Sequence, residues 1–155
     1  MQSKNLIEVL VITISNPILI GVYKDKELIK EIEIVGLTSD KLPVLFKDLL
    51  DEYDIKTIIY VNTPGSFMSI KIAYIFLKTI TMIKNIEFLA ANGFLFNKNS
   101  PIKALGKKYF INENGDIKVD FLPNMCKISD FELPKSLESI TFSKDTLPIY
   151  NLPAV

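Results

Sequence analysis

Residues 56–85 read KTIIYVNTPGSFMSIKIAYIFLKTITMIKN, and the fold turns on how that stretch divides. Residues 57–61 are a short apolar run rich in β-branched and aromatic side chains, the pattern of a buried strand, and Asn62-Thr63-Pro64-Gly65 is turn chemistry that ends it. No Pro or Gly follows until after Asn85, and Thr63 or Ser66 can accept from the free N–H groups of a first turn, so the spacing predicts a helix. At about 100° per residue, Lys71, Lys78 and Asn85 fall on one thin polar stripe. Phe67, Ile70, Ile72, Ala73, Tyr74, Ile75, Phe76, Leu77, Ile80, Met82 and Ile83 cover most of the remainder. A helix apolar over so much of its circumference is not satisfied by one sheet; it calls for a second cover, another helix or another protein.

Working outward, residues 6–14 are a nearly continuous apolar run, as in a strand buried on both faces. Ser15-Asn16-Pro17 turns that run into a second one at 18–23, and Lys24-Asp25-Lys26 is a further turn. Residues 27–35 then alternate, Leu28, Ile32 and Ile34 against Glu31 and Glu33, as an edge strand with one wet face does. After Gly36, Thr38 or Ser39 is placed to cap a helix reaching about Tyr53, with Pro43 in its first turn and Asp40 near the positive end of its dipole. Leu42, Leu45, Phe46, Leu49 and Tyr53 make its core stripe. Residues 86–90 read as one more strand, and Asn92-Gly93 closes it. The order is β-β-β-α-β-α-β, an α/β mixed sheet with an antiparallel meander and parallel crossovers, helices on its faces.

The remaining third differs in character. Residues 97–101 read as a linker, and 107–111 and 117–121 flank Asn114-Gly115, a strong hairpin signal. From Pro123 onward, short apolar pieces are divided by Pro134, Pro148 and Pro153, so extended or irregular chain packed on the domain is expected. The division expected is 1–96 as the main lobe and 97–155 as a small appendage.

Composition narrows the chemistry. With 155 residues, 48% of them hydrophobic, the chain can bury a proper core. Its 18 basic and 18 acidic residues balance, and no Lys cluster supplies the electrostatic footprint of a dedicated nucleic-acid binder. Histidine is absent, which removes Ser-His-Asp and Cys-His catalysis and His-based zinc sites. Cys126 is the only cysteine, so no internal disulfide forms, and a reducing, cytoplasmic setting is expected. No segment has the roughly 20 uninterrupted apolar residues of a membrane span. Pro64-Gly65-Ser66 at a helix start could hold an anion, but it lacks the spacing of a phosphate-binding loop and reads better as a tight turn that lets the helix pack on its strand. Asp40, Asp48, Asp51, Asp54, Asp116 and Asp120 read as solvated surface charge, Lys71 as a wet stripe residue, and Ser66 as a cap rather than a nucleophile.

Residues 63–73, Thr-Pro-Gly-Ser-Phe-Met-Ser-Ile-Lys-Ile-Ala, resemble the GPGSFTGLRIG motif of the TsaB (YeaZ) family. Pro64, Gly65, Ser66, Phe67 and Ile72 fit, and Ile70 stands weakly for Leu. Thr63, Met68, Ser69, Lys71 and Ala73 depart from the motif, and the likeness extends loosely over residues 6–96. The resemblance implies an actin-like ATPase (ribonuclease H-like) lobe with its second lobe reduced. It also implies a non-catalytic, cofactor-free scaffold that pairs with a TsaD-like subunit and, through that complex, a TsaE-like ATPase. The partner then transfers threonylcarbamoyl to N6 of adenosine 37 in tRNAs reading ANN codons, and this chain meets tRNA only indirectly. The superfamily's metal-holding Asp falls at Thr13, so hydrolysis by this chain is not expected. If the partner packs beside Lys71, the expected contacts are Ile70, Tyr74 and Leu77 on one flank, with Val44, Lys47 and Asp51 of the first helix beside them. A homodimeric module using the same face, and a stand-alone ATPase or kinase of the superfamily, are the alternatives.

Overall fold

A computed structural model describes residues 4–65, 67–122 and 126–150. The chain runs β1 (Asn5–Ile12), β2 (Ile18–Lys24), β3 (Glu27–Ile34), α1 (Thr38–Glu52), β4 (Tyr53–Thr63), α2 (Phe67–Lys84) and β5 (Glu87–Asn92). A 3-10 turn, Gly93–Phe96, leads to a small meander of β6 (Ile102–Lys103), β7 (Lys108–Glu113) and β8 (Asp116–Phe121). The main sheet has the order β3-β2-β1-β4-β5, antiparallel from β3 to β1 and parallel from β1 to β5, as the element order requires.

The run in β1 is buried on both faces. Ile7, Val9 and Val11 join the core beneath the helices, while Leu10 and Ile12 join a second core on the opposite side. Hairpins close where positive φ is available: Asp25 and Lys26 link β2 to β3, and Asn114-Gly115, at 52° and 95°, link β7 to β8. Leu42, Phe46 and Leu49 of α1 are buried against the sheet, each contributing roughly 1.5–3 kcal/mol of transfer free energy. Neither Thr38 nor Ser39 precedes that helix as expected. Thr38 opens it, Leu37 holds the cap position without a side-chain bond, and its carbonyl accepts from Asp40 and Lys41. Pro43 lies inside the helix, where its missing N–H costs a rung of the ladder. Strand β4 outruns the apolar stretch by which it was read, because Tyr53 and Ile55 alternate inward before the continuously buried part begins. Helix α2 ends with Asn85 in the left-handed region and the Ile86 N–H bonded to the Thr81 carbonyl, the 6→1 bond of a Schellman termination.

The sheet's second face is covered by extended chain. Residues 126–150 cross it from one edge to the other, placing Leu137 in the core with Phe131, Leu133, Ile140 and Phe142 against it. At the β3 edge, Leu28 donates to the Lys135 carbonyl and Leu137 to the Lys26 carbonyl. At the β5 edge, Ala90 and Ser143 exchange both backbone hydrogen bonds at 2.8 Å. The strap thus covers a face and occupies backbone groups on both edge strands. Two buried tyrosines hold it down, Tyr23 donating to the Pro134 carbonyl at 2.7 Å and Tyr60 to the Thr146 carbonyl.

Burial, then the Glu31 charge, raises Tyr23 above its ordinary 10.0. Burial, then Tyr74, Tyr150 and Asp145, does the same for Tyr60. A folded value above the unfolded one gives stability that is complete below the unfolded pKa and fades as pH rises beyond it. Circular dichroism during alkaline titration should therefore show the fold weakening above about pH 10, and Tyr60→Phe should diminish that dependence. A transition unmoved by the substitution would count against this assignment.

Candidate functional site

The turn between β4 and α2 is packed too closely to serve as an open anion cradle. Pro64 and Gly65 are buried, and a Cβ at Gly65 would lie 2.7 Å from the Ile14 side chain and 2.8 Å from that of Ile70. Glycine is needed there because helix and first strand meet across it. Ser66 lies outside the described residues, as does any cap it makes. Thr13 is buried, and among the described residues its hydroxyl has no hydrogen-bond partner. Ser15 is spent within its own turn, donating to the Ile12 and Pro17 carbonyls. Among the described residues no group of His, Cys, Asp or Glu is placed to hold a metal ion, and no helix is long and apolar enough to cross a membrane.

The pair α1/α2 is the surface the sequence singled out, and the structure sorts its residues. Val44, Lys47, Asp51 and Lys71 are exposed. Ile70 and Leu77 are not: both are 0% exposed and belong to the core beneath the helices. Ile70, Ala73 and Leu77 form the stripe that faces the sheet, so this flank is already occupied by the chain itself. Tyr74 is half-buried, its ring 6.2 Å from Tyr60 and 6.2 Å, stacked, from Phe88. Ile70 and Leu77 are therefore not available as contacts for a partner, which corrects that part of the expectation.

Elsewhere on α2, Met68, Ile75 and Met82 recur every seven residues and are exposed, with Ile83 beside the last of them. A groove of about 360 Å³ runs between the helices, lined by Pro43 and Ser39 of α1 and by Ile72, Ile75, Phe76 and Thr79 of α2. Phe76, one of the lining residues, packs edge to face on the buried Phe46, with ring centroids 5.9 Å apart. Exposed apolar side chains recurring every seven residues along one helix, beside a groove made with a second, have the spacing of a helix-packing face, and no described element covers them. The sequence offered a cue that went unused: Ala73 permits close approach to the sheet, while the opposite stripe carries flexible methionines.

Among the clefts elsewhere, two are built from segments distant in sequence. One, of about 600 Å³, lies beside the β1–β2 turn and is bordered by Asn16, Glu33, Lys103, Tyr109 and Asp130. The other, about 560 Å³, opens at the C-terminal ends of β4 and β5, where asparagines from distant parts of the chain converge. Neither was anticipated, because both are assembled from segments far apart in sequence.

The sequence matches no protein-family model and no curated protein. Its structure is similar to that of YeaZ from Pseudomonas aeruginosa, with a TM-score of 0.57 and 15% identity over 77% of this chain. The chain covers 64% of that protein's length. It is also similar to an uncharacterized protein described as resembling the peptidase YeaZ from Pseudomonas aeruginosa, with a TM-score of 0.56 and 13% identity over 89% of this chain and 73% of that one. At such identities the likeness is one of fold: a five-stranded mixed sheet carrying two helices.

Proposed function

We propose that this chain is a non-catalytic scaffold subunit that lays its α1/α2 face on a TsaD-like enzyme and so supports threonylcarbamoyl transfer to N6 of adenosine 37 in tRNAs reading ANN codons. The observation that carries the reading is the exposed row Met68, Ile75 and Met82 beside the interhelical groove. Soluble domains seldom leave such a row uncovered unless another helix packs there. The YeaZ-like fold and the PGSF turn support the choice of partner. In this reading residues 1–96 are an actin-like lobe, 97–155 are the remainder of a second one, and a TsaE-like ATPase and tRNA are met through the partner.

The test is co-purification with the TsaD-like protein of the same genome. The unaltered chain should form a stable complex, and Ile75→Asp, at a position 53% exposed, should abolish it without moving the melting temperature. Truncating an anchor of this kind typically costs about 2 kcal/mol or more of binding free energy, and a charge placed in the interface adds to that. A complex indifferent to Ile75→Asp would put the interface elsewhere. Self-association of the chain alone, lost with the same substitution, would favour the homodimeric alternative.

A further inference from the structure

Parallel strands in open α/β sheets commonly deliver ligand-binding groups at their carboxyl ends. In this chain β4 ends on Thr63, one residue after Asn62, and β5 ends on Asn92, which Thr63 faces across an irregular register. Both residues therefore lie near the carboxyl ends of neighbouring strands and line the cleft of about 560 Å³. That size lies within the range of roughly 300–1,000 Å³ usual for small-molecule sites. Each amide is held by one bond within the chain. Asn62 donates through Nδ2 to the Leu147 carbonyl at 3.0 Å, and Asn92 accepts through Oδ1 from the Phe94 N–H at 3.0 Å. Among the described residues the other half of each has no protein partner, which leaves an acceptor, Asn62 Oδ1, and a donor, Asn92 Nδ2, from adjacent strands.

An acceptor and a donor lining one cleft match the kind of complementary pair on the edge of a nucleobase, as asparagine amides do when they read adenine. Leu95 and Ile149, both about half exposed, give the cleft apolar surface for a ring, and Asp145 gives it a carboxylate of the kind that binds ribose hydroxyls. Among the described residues no lysine or arginine lines it, so a phosphate would meet Asp145 uncompensated. We propose that this cleft binds a neutral nucleoside, with Asn62 and Asn92 reading the base edge and Asp145 the sugar. The site shares no residue with the α1/α2 groove, and the proposal stands or falls separately from the scaffold reading.

The test is a titration of the ¹⁵N-labelled full chain followed by amide NMR, with adenosine, guanosine, cytidine, uridine, adenosine 5′-monophosphate and glucose as probes. At least one nucleoside should give saturable shifts at millimolar concentration or below, centred on Asn62, Asn92 and Asp145, and the monophosphate should bind more weakly than adenosine. Asn92→Asp keeps the acceptor that caps the following turn but removes the donor, so it should weaken binding about tenfold or more with the spectrum of the folded protein retained. Absence of saturable shifts with all four nucleosides would overturn the proposal. So would equal binding of glucose, equal or tighter binding of the monophosphate, or an Asn92→Asp protein that binds like the original.

Discussion

Leu77→Asp is expected to leave no folded protein, whereas Ile75→Asp, two positions away on the same helix, is expected to melt as the unaltered chain does. Leu77 is 0% exposed and packs with Ile70, Ala73 and Phe46 in the core between helices and sheet. Removing such a leucine costs about 2–5 kcal/mol before any charge is considered. The aspartate then enters a region whose buried polar residues are all threonine, asparagine or serine among the described residues, so it finds no cation and must be buried charged or take up a proton. Together these costs reach most of the roughly 5–15 kcal/mol that holds a domain of this size folded. Soluble yield and circular dichroism read the result. A cooperative melt for Leu77→Asp close to that of the original would mean that α2 is rotated relative to the sheet, and the assignment of Ile75 to the surface would fall with it.

This contrast also marks where the sequence could be read and where it could not. The order of elements was legible because each strand and helix carries its own period and its own punctuation, from the alternation in β3 to the glycine and asparagine of the hairpins. The orientation of α2 was not. Ile70, Ala73 and Leu77 repeat at helical spacing, and so do Met68, Ile72, Ile75 and Met82 on the other side, so periodicity alone gives two equivalent inward faces. Residue size breaks the tie, since an alanine lets a helix approach a sheet closely and a row of methionines does not.

The candidate sites follow the same division. Val44, Lys47, Asp51 and Lys71 were placed on the surface because a charged or flanking position in an amphipathic pattern needs only local information. The asparagine cleft needed the register of β4 against β5, the turn after β5, and the path of a strap more than fifty residues further along. Asparagines at strand ends look like ordinary turn residues until that path brings them together. The tail itself was read as extended chain packed on the domain, and its contacts show why no regular element is required: several of its backbone groups pair with the edge strands and adjoining segments of the main lobe, while the Ile140 N–H closes one turn on the Leu137 carbonyl.

Deleting everything after Phe121 should consequently be as damaging as a charge in the helix core. The strap supplies the cover over Leu10, Ile12, Leu19, Ile59 and Val61, and Leu137, 1% exposed, lies at the centre of that contact. Without it the sheet would present a continuous apolar face to water, with two edges relieved of their bonded partners, and such surfaces associate. The truncated chain is expected to aggregate or to bind hydrophobic dyes, and Leu137→Ala in the full chain should cost about 2–5 kcal/mol in denaturant unfolding. Because Tyr23 and Tyr60 donate their hydroxyls to strap carbonyls, the truncation would also strand two buried donors, so part of its cost is polar rather than apolar. Restoring residues 126–150 as a separate peptide should recover solubility if the strap acts only as a cover. A truncated chain that stays monomeric and melts like the full one would instead show that α1, α2 and the five-stranded sheet are sufficient, with the strap merely resting on a face that water already tolerates.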